Sequence, residues 1–298
     1  MASWQRSGGL LLERVELRQV NLPLPLHSPQ AEETCPPPHL LALSAYGGPI
    51  AMFSSAEKTV KVFASGGKWL ASFQFPCGPC EGGFGWTHDL ALVFVCDDAD
   101  GSVFIWDDFV GLKPRRLKLK FGTKVLMATI WRDSIIALTN KMGVLVMSEI
   151  RSKPNIKWQA VVFPMVNPPR SICVLMPDVA TDSTLEIAAA LPDQAGMLVA
   201  SPERKSVDAR VPQFRALPSR LLSPHPTEPI IASLDVSDRL LVMNLTLEEI
   251  IFARDCQLGQ GFESVPSSLS WCLGGTFLFL RLGSLCSPLQ LTIFSLTL

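Results

Sequence analysis

A chain of 298 residues, 48% of them hydrophobic, can bury a large core, and one sizeable all-β domain fits that length. With 26 basic against 27 acidic side chains, no cationic surplus points to nucleic acid and no single-sign block points to an anionic membrane surface. The 24 prolines and 20 glycines suit many short strands better than long helices.

At the N-terminus, residues 1–6 lack a basic segment leading into an apolar run and a cleavage site. The apolar stretch at 8–12 is too short to serve as one, so no secretory signal is expected. Eight cysteines in a large chain without a signal read as free cytosolic thiols rather than a disulfide framework. Residues 21–38 are rich in proline and end in Cys35 and three prolines, which predicts a loop or linker.

From there a unit recurs, a turn followed by a short β-branched or aromatic run. It stands at Lys58–Phe63, Gly101–Trp106, Gly143–Met147, Gly196–Ala200 and Arg239–Met243. The centres, Val62, Ile105, Val146, Val199 and Val242, are 43, 41, 53 and 43 residues apart, and a four-stranded propeller blade takes about 40–50 residues. A second apolar run precedes each of them, as at Leu90–Val95, Ser134–Leu138, Leu185–Ala190 and Ile230–Leu234. Two such runs around a turn make a β-hairpin. One hairpin cannot cover its own apolar face, so the units are expected to stack radially and leave few open edges. The predicted fold is all-β, a β-propeller of WD40-like four-stranded blades. Trp106-Asp107 resembles a WD-repeat ending, a weak signal that gains weight from the period.

The chain closes on an apolar stretch from Thr276 to Leu298, long enough for a membrane span. Arg281, Gly283, Pro288 and Gln290 interrupt it, which favours two short buried strands or a loosely folded tail over an anchor. Residues 269–298 offer a sixth blade.

Candidate chemistry is sparse. Cys77-Gly-Pro-Cys80 has the residues of a thiol oxidoreductase, the enzymatic alternative for this chain. That activity needs a helix N-terminus at the first cysteine to stabilise its thiolate. Gly82, Gly83 and Gly85 follow instead, which predicts a loop. Cys77, Cys80, His88 and Cys96 carry zinc-type donors, but a second short ligand cluster is missing, and Cys96 reads as a core thiol. Asp97, Asp98 and Asp100 precede Gly101, as a hairpin turn requires. No calcium loop closes with a glutamate, and no nucleophile elbow or phosphate loop occurs. His27, His39, His88 and His225 form no triad pattern. The run Lys113–Lys120 alternates in its second half and predicts an outer strand with a solvated cationic face, where an acidic partner or lipid head group is an option. No catalytic residue, cofactor site or metal ligand is assigned.

At Ser44–Phe53 the chain reads Ser-Ala-Tyr-Gly-Gly-Pro-Ile-Ala-Met-Phe. This segment resembles the start of the propeller in the vacuolar protein sorting-associated protein 16 family. The likeness continues through Val60–Ser72, Gly85-Trp86, Leu92–Cys96 and Gly101–Trp106, and returns at Ser270–Cys272. It spans residues 10–272, is most specific in the first 110, and is loosest from Arg151 to Pro226. The resemblance implies a propeller followed by an α-solenoid in a core subunit of the HOPS and CORVET tethering complexes. Such a subunit is cytoplasmic and peripheral on late endosomes and vacuoles or lysosomes, where it supports vesicle-mediated protein transport and SNARE-driven membrane fusion. It also implies a non-catalytic scaffold whose partners are the other subunits. In the family the Sec1/Munc18-type subunit, vacuolar protein sorting-associated protein 33, is held by the solenoid. This sequence lacks that part, so that contact is not expected. A generic propeller scaffold in another assembly is the other non-enzymatic reading. The family pattern fades into a divergent tail at 273–298. The expectation is thus one domain over residues 1–298, an incomplete propeller of five to six blades with exposed terminal edges.

Overall fold

A computed structural model describes residues 4–7, 10–16, 39–44, 48–109, 113–119, 123–152, 155–175, 185–193, 196–202, 204–210, 218–225, 228–245, 249–256, 265–272, 277–283 and 290–297. The predicted linker at 21–38 lies outside the described residues. Every regular element described is a β-strand. Two strands open the chain, β1 (Trp4–Ser7) and β2 (Leu10–Glu16). The first sheet follows, with β3 (His39–Leu43), β4 (Ile50–Ser54), β5 (Thr59–Phe63) and β6 (Trp69–Gln74) in that order. The second takes β7 (Pro79–Trp86), β8 (Leu92–Cys96), β9 (Ser102–Trp106) and β10 (Arg115–Lys118). The third takes β11 (Val125–Trp131), β12 (Ser134–Thr139), β13 (Gly143–Ser148) and β14 (Asn155–Val162), and a parallel contact between β7 and β11 joins it to the second as one eight-stranded sheet.

The fourth sheet is built from β15 (Ile172–Leu175), β16 (Glu186–Ala190), β17 (Met197–Ser201) and β18 (Ser206–Arg210). The fifth holds β19 (Ser219–Pro224), β20 (Ile230–Asp235), β21 (Arg239–Asn244) and β22 (Glu249–Asp255). All five are antiparallel meanders. The sixth draws on both ends of the chain. β23 (Val265–Cys272), β24 (Phe277–Gly283) and β25 (Gln290–Thr297) pair in turn, and β25 then pairs with β2 through Leu11↔Thr297 to Glu16↔Thr292. The apolar tail is therefore not a loose appendage. Its two predicted strands exist, and N-terminal strands cover the outer edge of β25, which the sequence left exposed.

Side-chain alternation explains why this sequence stacks its sheets. Along β8, Leu92, Phe94 and Cys96 pack with the first sheet, while Val93 and Val95 pack with the third. Successive residues of a strand point to opposite faces, so a middle strand covered on both sides must be apolar throughout. β8 and β9 are buried at every position, whereas the outer strand β10 is half-exposed. Five apolar clusters among the described residues fill the junctions from the first sheet to the sixth. The largest rings lie between the first and second sheets, where Phe75 stacks on Phe94 at 4.1 Å and Phe53 meets Phe94 edge-on at 5.3 Å. Removing a ring at such a site costs about 3–5 kcal/mol. No corresponding cluster joins the sixth sheet to the first among the described residues.

The turns between second and third strands repeat one device. The residue just before the third strand has positive φ in each of the first five sheets, at Lys58, Gly101, Met142, Gly196 and Asp238. A side-chain oxygen four residues before that strand's first amide accepts from it in three of these turns. Asp98 takes Ser102 N at 2.9 Å, Thr139 takes Gly143 N at 3.2 Å, and Asp235 takes Arg239 N at 2.9 Å. Short polar side chains that bond their own turn are what such sites select.

Candidate functional site

The segment Cys77–Trp86 is mostly strand, not the loop its glycines suggest. β7 is the inner strand of the second sheet, and its register with β8 shifts between Pro79 and Phe84. It also touches β11 in parallel, with Met127 opposite Glu81. At Gly82 φ is +68° and a Cβ would stand 2.1 Å from Ala128 O. Glycine is required there because two backbones meet where a side chain has no space. Propensity alone misreads the segment.

The same register separates the two thiols of the Cys77/Cys80 pair. Cys80 is buried in the core between the second and third sheets. Cys77, half-buried, has its sulfur within 4.8 Å of that of Cys96. Burial pushes the Cys80 thiol up to about 12 and raises those of Cys77 and Cys96 as well. These are the opposite of the lowered values that make a cysteine nucleophilic. The donors are also regrouped. Cys77, Cys96 and Asp98 bring their ligand atoms within 4.8 Å of one another, while His88 lies beside Asp89. Sequence position marks Asp98 as a turn residue, and nothing in that position signals the two sulfurs.

The remaining candidates have structural tasks. Asp98 caps Ser102 as described, and Asp97 bridges to Lys124 Nζ at 2.9 Å, from the second sheet to the start of the third. His225 is buried with its ring edge-on to Trp271 at 4.8 Å, and its Nδ1 accepts from Glu228 N at 3.0 Å. His39 opens β3, and His27 lies outside the described residues.

β10 is the outer strand expected, with Lys118 of its alternating half exposed and Lys120 outside the described residues, while the two arginines before them have partners. Arg115 donates to the carbonyls of Ile150, Arg151 and Ser152 in the connection between β13 and β14. Arg116 reaches Ser102 Oγ at 2.8 Å and lies over the Phe104 ring at 5.7 Å. Alternation predicted which residues point outward; it did not predict that a long guanidinium finds carbonyls in the β13–β14 connection.

This arrangement, antiparallel sheets of mostly four strands packed in sequence around their inner strands, defines a WD40-type β-propeller. Solved structures agree. The WD40 repeats of RRP9 match with a TM-score of 0.57 at 12% identity, over 86% of this chain and 79% of that one. U3-55K matches with 0.56 at 11% identity, over 86% and 79%. Raptor of Chaetomium thermophilum matches with 0.55 at 11% identity, over 84% of this chain and 23% of that one. No protein-family profile and no curated protein matches the chain.

Proposed function

We propose that this chain is a non-catalytic interaction scaffold and that its assembly is the endosome–vacuole (lysosome) tethering machinery, HOPS and CORVET. The observation that carries the scaffold reading is the use made of its reactive side chains. The thiols of Cys80 and Cys173 are buried and raised to about 12, and the acids and arginines singled out by sequence cap turns or tie sheets together. What remains for a partner is surface. Trp69, 58% exposed on the outer strand β6, is the feature best suited to it, because an exposed indole offers a large rigid contact.

The tethering assignment rests on the likeness of Ser44–Phe53, Val60–Ser72 and Gly85-Trp86 to the vacuolar protein sorting-associated protein 16 family. In this reading the chain sits on the cytoplasmic side of late endosomes and vacuoles or lysosomes through its complex, in vesicle-mediated protein transport. Its partners are other core subunits.

Affinity purification of the tagged chain from cells tests both levels. Core tethering subunits should co-purify, and Trp69→Ala should reduce them without changing the melting temperature. Capture of a different, reproducible set of proteins sinks the tethering assignment and leaves the scaffold. Capture of none sinks both.

A further inference from the structure

The three donor atoms on Cys77, Cys96 and Asp98 have a common cause in strand register. Pro79 lies opposite Cys96, and Asp97 N bonds to Gly78 O at 2.9 Å. That bond carries the antiparallel register one residue past Pro79, to Gly78 and Asp97, and the next step along both strands brings Cys77 beside Asp98, whose ligand atoms lie within 4.8 Å of each other. Opposed residues of an antiparallel pair share a face, as do residues two apart on one strand. Cys77, Cys96 and Asp98 therefore converge on one side of the hairpin, beside the turn that joins β8 to β9.

We propose that this cluster is a binding site for a thiophilic divalent cation of the zinc class, with Cys77 Sγ, Cys96 Sγ and one Asp98 oxygen as protein ligands and water in the fourth position. Zinc–sulfur bonds of about 2.3 Å and zinc–oxygen bonds of about 2.0–2.2 Å place tetrahedral ligands roughly 3.5–3.8 Å apart. The donors, within 4.8 Å already, need to close by only about 1 Å. Cys96 is buried on β8, whereas Cys77 sits on a bend and Asp98 in a turn, both half-exposed, so two of the three ligands are free to adjust.

A carboxylate has two oxygens, so the bond from Ser102 N to Asp98 Oδ1 is compatible with ligation and orients the group. Charge also fits. Two thiolates and a carboxylate carry three negative charges, and a divalent ion leaves one. Binding would release both thiol protons to solvent and would clip the β6–β7 connection to the β8–β9 turn.

Cobalt(II) titration of the chelator-treated full chain reads this site directly. One equivalent should give thiolate-to-cobalt charge-transfer absorption in the near ultraviolet, displaced by one equivalent of zinc. Cys77→Ser and Cys96→Ser should each abolish the band, and Cys80→Ser should keep it. Asp98→Asn retains an acceptor for Ser102 N, so it should leave the apo-protein's thermal melt unchanged while weakening cobalt binding. An absent band, a band that survives Cys77→Ser, or one lost in Cys80→Ser overturns the assignment. If Cys96→Ser fails to fold, Cys77→Ser and Asp98→Asn decide the matter.

Discussion

The indole Nε1 of Trp86, on the inner strand of the second sheet, donates to Ala42 O on the inner strand of the first at 3.0 Å. Trp271 does the same between the sixth sheet and the fifth, donating to Ser223 O at 2.9 Å. Each indole stands at the end of its inner strand and reaches back one sheet. The contact ties blades separated by 44 and 48 residues. A buried tryptophan needs a partner for its N–H, and here the partner is the neighbouring blade's backbone.

Trp86→Phe keeps most of the ring and removes the donor. It is expected to destabilise the chain by about 1–3 kcal/mol, because Ala42 O loses a partner in a partly buried setting. Trp271→Phe acts at a distant junction, so the two losses should add within about 0.5 kcal/mol. Denaturant melts of the two single variants and the double variant check this, and strong non-additivity would contradict independent latches.

Gly82→Ala places a methyl group 2.1 Å from Ala128 O at a φ of +68°. Strain at such a backbone site costs about 1–3 kcal/mol before the clash is counted, so a fall well beyond a typical surface substitution is expected. Gly66, with nothing within 4 Å of its Cβ position, is the control. Gly66→Ala should be neutral or stabilise by up to about 1 kcal/mol through the unfolded chain. Equal melting temperatures for the two variants would refute the close approach of β7 and β11.

What the sequence made legible follows from local physics. The second and third strands of the second blade are covered on both faces, so Leu92–Cys96 and Val103–Trp106 are unbroken apolar runs with a turn between them, and the period of five such units can be counted. What stayed hidden depends on distant partners. The pairing of Leu11 with Thr297 leaves no local mark on either segment, so the sixth blade was read from one end only. Gly82 and Gly83 imitate a loop because their reason lies on β11 and β8. Spacing groups Cys77 with Cys80, while register groups it with Cys96.

Asp235 is buried, and its Oδ1 accepts from Ser237 N at 2.9 Å, Ser237 Oγ at 2.8 Å and Arg239 N at 2.9 Å. Asp235→Ala strands those donors and should cost about 2–4 kcal/mol, since bonds to a charged group are each worth about 1.5–3 kcal/mol and are not additive. Asp235→Asn keeps an acceptor oxygen and should lose less than half as much. If both variants lose the same stability, the carboxylate's fold-holding role is packing and not turn capping.

Cys80 and Cys173 are buried apolar thiols whose values rise from about 9 to about 12, with burial the first cause in each. The sign follows from linkage. The unfolded chain sheds these protons near pH 9 while the folded chain keeps them. Their contribution to stability is therefore full below pH 9 and is lost as pH climbs towards 12. Two measurements follow. Melting temperature should fall steadily between pH 9 and 12, and the Cys80→Ala/Cys173→Ala double variant should show a shallower fall, whatever its starting stability. At pH 8 alkylation of both thiols should track global unfolding, because only the opened chain presents a thiolate. Fast alkylation of Cys80 in the native protein would mean an accessible low-pKa thiol, and with it the oxidoreductase reading would return.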